Sequence, residues 1–371
     1  QFAPAAALYG QALKDEPQRV DLRRAQAYSL MRDGQNDAAA AAFRQAIDAA
    51  RAGATRAGAG KATGKGASLG AQRDTLLALA EAAAPDAAPK QSDTHDVLLA
   101  AAAADTDAQA RELDIWRMRQ EVRKLNKNFD FSVYQSYRDN DTSAVPQSGA
   151  GVGTGGGGGG ALPSQGGVEA AWRPPVIGLR DDRTLHLFGR LTWSNRPGSL
   201  AIDRTTVQGS VGARYKPFRT QQFYVGTERL LKSGSATRSD WLLRASYGWT
   251  DGLEIADPRG TQWNYSSFYA DIGRFTDQRV NAAYVEARQG RTWKVADNLL
   301  LSPHVVLNAR HQRPDPDRSS YSEAGVGVSL RGFFNETEYV APRSSAELLL
   351  QYKHGLKRVG NGWAVTAILA F

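Results

Sequence analysis

The sequence predicts an α-helical region followed by an antiparallel transmembrane β-barrel of about 12 strands. Three observations predict it. Residues 1 to about 125 are rich in Ala, Leu, Arg, Gln and Glu, whereas aromatics and glycines rise sharply from about 128 onward. Helix-forming and strand-forming residues therefore separate along the chain. After that change, stretches of about ten residues alternate apolar and polar, the length that crosses a bilayer at a tilt. Finally, the chain stops on NGWAVTAILAF, 361–371, which sets Trp363, Val365, Ala367, Leu369 and Phe371 on one apolar face. The boundaries drawn from this are 1–125 for the helices and 126–371 for the barrel.

The helical region opens on a repeat. Ala5, Tyr9 and Ala12 recur 34 residues later as Ala39, Phe43 and Ala46. Small residues flanking an aromatic at that period form the tetratricopeptide pattern, in which one helix pair stacks on the next. Pro17 stands where such a repeat ends and Gly34 at the turn between helices, while Arg23, Gln26 and Arg51 depart from the pattern. Because the chain begins inside a repeat at Gln1, it is expected to be a mature or trimmed form. RAGATRAGAGKATGKGAS, 51–68, is expected to be a flexible basic linker, with further helices near 70–84, 92–104 and 107–125.

Strands are predicted near 129–137, 168–174, 184–194, 205–217, 220–232, 239–249, 262–275, 279–290, 299–312, 320–334, 344–354 and 361–371. In DWLLRASYGW, Trp241, Leu243, Ala245, Tyr247 and Trp249 alternate with Arg244 and Ser246. NAAYVEARQ sets Ala283, Val285 and Ala287 against Tyr284, Glu286 and Arg288, and SAELLLQYK sets Leu348, Leu350 and Tyr352 against Glu347, Gln351 and Lys353. Turn chemistry such as NRPGS, KSGSAT and PDPDRSS separates the segments. A soluble sandwich alternates too, but here the polar face is densely charged and the apolar face ends in Trp and Tyr. That is the pattern of lipid outside, aromatic girdles at its borders and a wet lumen. The polar face supplies Arg190, Arg214, Glu228, Arg244, Asp271, Tyr284, Glu286, Arg288, Arg310, Glu323, Arg331, Glu347 and Lys353 as pore-lining candidates. An even strand count puts both ends of the barrel on one side. The tract GAGVGTGGGGGGALPSQGG falls in a disordered glycine-rich loop, drawn over 148–167.

Several chemistries are excluded. The chain has no cysteine, hence no disulfide, thiol catalysis or thiolate metal site. No run of about 18 apolar residues offers a transmembrane helix. The net charge of +8 is dispersed rather than gathered into a nucleic-acid stripe. The glycine tract lacks the Lys-Ser or Lys-Thr ending of a phosphate loop, and no Gly-x-Ser-x-Gly occurs. The five histidines show no metal spacing, with His304 and His311 on opposite strand faces, and Glu336 and Glu338 read as solvated charges. No enzyme, cofactor or metal is expected.

NKNFDFSVYQSYR, SDWLLRASYGW, the block from LSPHVVLNARHQRPDPDRSS to AELLLQYKHG, and the closing AILAF resemble the bacteriophage adsorption protein A family over about 128–371, most densely 220–355. The resemblance implies periplasmic tetratricopeptide repeats joined to a C-terminal barrel in the bacterial outer membrane, with loops at the cell surface. It implies an exit channel for a surface exopolysaccharide made with an inner-membrane glycosyltransferase partner, and a receptor that a phage tail protein can use. The architecture is also similar to the export subunits of cellulose and poly-N-acetylglucosamine systems, and Phe371 resembles the C-terminal signal read by barrel-assembly machinery. The alternative is a non-conducting receptor barrel whose repeats form a protein-docking scaffold.

Overall fold

The computed structural model describes residues 2–63, 91–139, 164–196, 199–253, 260–314 and 320–371. Four helices come first: α1 (Phe2–Asp15), α2 (Val20–Asp33), α3 (Asn36–Thr63) and α4 (Gln91–Asn126). Pro17 lies in the turn between α1 and α2. Gly34 ends α2 at φ 85°, where its own N–H reaches Met31 O at 3.1 Å and that of Gln35 reaches Leu30 O at 3.0 Å. This left-handed cap satisfies carbonyls that the helix end leaves open. Ala39, Phe43 and Ala46 lie on one face of α3, fully buried with Ala27, Met31, Met118 and Val122. The first copy of the pattern fares differently: Ala5 and Tyr9 are half-buried and Ala12 is exposed.

Two helical expectations are corrected. The linker drawn over 51–68 is helix as far as Thr63, because Ala52, Ala54, Ala57, Ala59 and Ala62 carry α3 onward through the glycines. Residues 64–68, and the helix expected at 70–84, lie outside the described residues. The helices expected at 92–104 and 107–125 are one continuous helix, α4, in which Asp105 and Thr106 make no break.

The strands are β1 (Phe129–Arg138), β2 (Gln165–Trp172), β3 (Leu179–Arg180), β4 (Arg183–Ser194), β5 (Gln208–Lys216), β6 (Gln222–Lys232) and β7 (Asp240–Asp251). They continue as β8 (Gln262–Phe275), β9 (Val280–Ala296), β10 (Leu299–Arg313), β11 (Tyr321–Phe334), β12 (Ser344–Lys357) and β13 (Gly362–Ala370). From β3 to β13 each strand pairs antiparallel with the next, β1 pairs with β2, β2 pairs with β4, and β1 pairs with β13. The result is a closed barrel of 12 strands, with the two-residue β3 a spur on β4. Closure leaves no strand edge, which a bilayer demands. Phe371 prolongs the closing ladder: its N–H donates to Phe131 O at 2.8 Å, and its ring lies 6.1 Å from that of Phe131 and 5.9 Å from that of Phe334.

Strand boundaries move in places. β2 starts at Gln165, so the last residues of the loop drawn over 148–167 are strand. Gly166 and Gly167 are needed there, since a Cβ on Gly167 would come within 2.6 Å of the Tyr134 ring. The rest of that loop, up to residue 163, lies outside the described residues. β5 starts at Gln208 rather than 205, because Arg204–Thr206 forms a 3-10 turn whose Thr205 N–H is capped by the Asp203 side chain. β9 runs on to Ala296.

The barrel is apolar outside and polar inside. Leu187, Val211, Leu243, Val285, Val305, Leu307, Val326, Leu348 and Leu350 are exposed, while Arg288, Glu286, Glu323, Gln351 and Lys353 are buried. Exposed aromatics border the belt, with Phe129, Phe131, Trp172, Trp249, Trp293 and Phe371 at the end nearest the helices and Trp241, Tyr352 and Trp363 at the other. Such an inverted surface belongs in lipid, not in water. Leu348→Arg, midway between the two aromatic borders on β12, is expected to cost about 2–4 kcal/mol in denaturant titrations of vesicle-embedded protein, and the same change at the bordering Tyr352 clearly less. Equal costs would overturn the assignment of depth.

The helices stand at one end of the barrel, against the 173–182 and 335–343 loops. Arg51 donates to Glu338 at 2.6 Å, Arg119 to Glu336 at 2.9 Å and to Thr337 O at 2.7 Å, and Tyr339 to Asp48 at 2.8 Å. Asn36 donates to Leu179 O at 3.0 Å. Leu179 and Val340, one from each loop, are buried in the helical core itself. Glu336 and Glu338 are therefore partners of helix arginines rather than solvated charges alone.

Candidate passage through the barrel

Strand alternation decides which side chains enter the lumen. The inner face takes even-numbered residues of β1, β4–β7, β9, β10 and β13, and odd-numbered residues of β2, β8, β11 and β12. By that parity the structure places Arg190, Arg214, Glu228, Arg244, Asp271, Tyr284, Glu286, Arg288, Arg310, Glu323, Arg331, Glu347 and Lys353 all on the inner face. Trp363, Val365, Ala367, Leu369 and Phe371 all lie on the outer one.

The inner residues fall into linked groups. Glu169 of β2 accepts from Arg190 at 2.6 Å and from Arg214 at 2.7 Å, and Arg190 also reaches Glu228 at 3.2 Å. Arg190 and Arg214 stack on either side of Phe188, 5.1 and 5.3 Å from its ring centre. On the neighbouring wall Arg244 pairs with Asp271, to which Tyr269 also donates at 3.0 Å. Glu286 accepts from Arg288 at 2.7 Å and from Tyr284 at 2.8 Å. Glu323 holds Arg138 directly and lies 3.9 Å from Lys353. Ser329 donates to Glu347 at 2.6 Å, Arg310 to Gln312 at 2.9 Å, and Arg331 lies over the Phe333 ring at 5.3 Å. Charges of both signs thus neutralise one another across adjacent strands, and charge-assisted bonds hold them in place.

Sequence reasoning missed the members that complete these groups: Glu169, Arg138, Phe188 and Tyr269. Arg138 and Glu169 flank the glycine tract, where no long alternating run marks them. Only their inner parity with Tyr134 and Ala171 could have found them.

Spaces lie between these groups among the described residues. One lies toward the helix end and is lined by Phe188, Arg214, Tyr224, Glu228, Arg244 and Tyr269. Another lies toward the far end among Gln208, Leu242, Asp271, Tyr284, Arg310 and Gln312. Arg244 lines the first and Asp271 the second, so their ion pair stands on the boundary between them. The Nε and Nη2 of Arg214 are buried with no protein partner, leaving donors for whatever fills the first space. Aromatic faces beside multiple donors and acceptors are the chemistry that receives sugar rings. Among the described residues no cluster of His, Asp and Glu could hold a metal ion.

Comparison with known proteins finds similarity at the level of sequence and of structure. Residues 199–367 match the family model described as the C-terminal part of bacteriophage N adsorption protein A. A stretch of 228 residues, 59% of this chain, is 27% identical to the bacteriophage adsorption protein A of Escherichia coli (strain K12), covering 23% of that relative. The chain therefore spans about a quarter of the relative's length. Among solved structures, the β domain of the Bordetella autotransporter BrkA superposes at a TM-score of 0.36, with 11% identity over 66% of this chain and 99% of that one. An outer membrane channel from Pseudomonas putida F1 gives 0.35, with 10% identity over 66% and 94%. A bacterial polysaccharide outer membrane secretin gives 0.32, with 8% identity over 66% and 98%. Scores this low say nothing of function. The sequence match is the stronger finding: over residues 199–367 this chain is similar to the C-terminal part of the bacteriophage N adsorption protein A family.

Proposed function

We propose that the barrel resides in a bacterial outer membrane and passes a surface exopolysaccharide outward, with the helices on the periplasmic side. The observation that carries this reading is the pair of spaces aligned along the lumen and parted by the Arg244–Asp271 ion pair. A sugar chain slides past many weak hydrogen-bonding groups and aromatic faces, with no single tight site, and Phe188, Tyr224 and Tyr269 provide such faces beside Arg214 and Glu228. The helices, read as tetratricopeptide-like repeats, would dock an inner-membrane glycosyltransferase through their free surface, as stacked helix pairs do. The far-end loops are the surface a phage tail protein would touch, consistent with the name of the Escherichia coli relative. The chain carries no assembled catalytic group in this reading. Trp363 to Phe371 serve as the assembly signal, presented on the outer face of the closing strand.

The second reading, a closed receptor barrel, is favoured by one observation: Arg138, Glu323 and Lys353 are buried to the point of filling their side of the lumen. Planar-bilayer recording separates the two. If the ion pair bars the passage, Arg244→Ala should raise single-channel conductance several-fold above that of the parent, and Asp271→Ala should do the same. A parent that conducts nothing, and variants that stay silent, would leave the receptor reading in possession.

A further inference from the structure

Outside the lumen, on the face turned to lipid, strands β6 to β10 carry an open groove near the end remote from the helices. Hydrogen-bond register sets its floor and walls. Val225, Ala245, Ile272, Ala283 and His311 fall in one outward row across the five strands. The next row toward the rim reads Leu243, Arg274, Asn281 and Arg313. Rows on one face lie about 7 Å apart along a strand. Small Ala245 and Ala283 make the floor, while Leu243 and Ile272, both well exposed, make a wall.

The rim is cationic. Arg274 and Arg313 are exposed at the ends of β8 and β10, and neither has an ion-pair partner among the described residues. The neighbouring Arg229 differs, since Asp277 lies 3.7 Å from it. Guanidinium groups pointing outward cannot lie in hydrocarbon, so they mark the headgroup level. An apolar trough that begins one row below two outward guanidiniums matches an acyl chain joined to a phosphate.

We propose that this groove is a binding site for one acylated lipid bearing a phosphate monoester, from the leaflet on the helix-distal side, its phosphate between Arg274 and Arg313 and one acyl chain over Ala245 and Ala283. Asn281, between Arg274 and Arg313 in the rim row, supplies a further donor at the phosphate. The site is independent of whether a glycan crosses the lumen. It would fix the barrel's height and rotation against that leaflet.

Native mass spectrometry of the full chain released from detergent micelles tests it. The probes are lipid A, lipid A stripped of its phosphates, phosphatidylcholine and inorganic phosphate, each at the same molar ratio. The parent should retain lipid A, and R274Q/R313Q should retain about ten-fold less. Phosphate-free lipid and phosphatidylcholine should bind the parent no better than lipid A binds that variant. A283W, which fills the groove and keeps both arginines, should also lose the adduct. Heat-modifiable migration on gels confirms that each variant has folded. No lipid A adduct on the parent, an adduct undiminished in either variant, equal retention of phosphate-free lipid, or full displacement by inorganic phosphate would each overturn the proposal.

Discussion

Glu323→Gln should destabilise the barrel by about 3–5 kcal/mol, the usual cost of stripping one partner from a buried ion pair. Glu323 and Lys353 have no exposed side-chain surface, and Arg138 only 4%. One carboxylate therefore faces two cations. Removing its charge weakens the hold on both cations in a space that water barely reaches. Lys353→Met leaves the Arg138–Glu323 pair neutral and intact, so it should cost much less. The double variant Glu323→Gln with Lys353→Met should recover part of the loss, because one of the two buried cations goes with it. Denaturant midpoints of vesicle-embedded protein give the ordering directly. If Lys353→Met cost as much as Glu323→Gln, the ammonium and not the carboxylate would be the anchor of this group.

That trio shows how far the sequence is legible. Glu323 and Lys353 were placed inside by alternation alone, because side-chain direction in a strand is a local property of period two. Their shared partner Arg138 was not, for it sits 185 residues from Glu323 in β1, and the closure that joins β1 to β13 is a long-range pairing. The same reason hid Glu169, which joins Arg190 and Arg214 from a strand that emerges out of a glycine tract. There the glycines signalled loop, while their real use at Gly166 and Gly167 is to let Tyr134, Gln135 and Trp193 approach the backbone. In the helices, composition overrode punctuation: alanines carried α3 through Gly53, Gly58 and Gly60, and α4 through Asp105 and Asp107. The contact between the helices and the 335–343 loop left no periodic mark at all, since Glu336, Glu338 and Tyr339 find their partners only in three dimensions.

Phe43→Ala should remove about 3–5 kcal/mol from the helical region, through lost burial and the cavity left behind. Phe43 is fully buried on α3, and the edge of the Tyr28 ring meets it at 5.0 Å with an interplanar angle of 84°. Ala39 and Ala46 flank it on the same face, too small to close over the gap. The consequence reaches the barrel, because Leu179 and Val340 of the barrel loops belong to this same core. A loosened α3 should therefore weaken the grip of Arg51 on Glu338 and of Asp48 on Tyr339, both held from α3 at exposed positions. Limited proteolysis of the reconstituted chain should cut the helices of Phe43→Ala faster than those of the parent, while the strands stay protected by lipid. Phe43→Leu, which keeps most of the volume, should restore most of the protection. If Phe43→Ala were cleaved at the parent rate, the core joining helices to barrel would be held from the loops instead. The helical region would then be a rider on the barrel mouth, fixed by its surface ion pairs and not by its own packing.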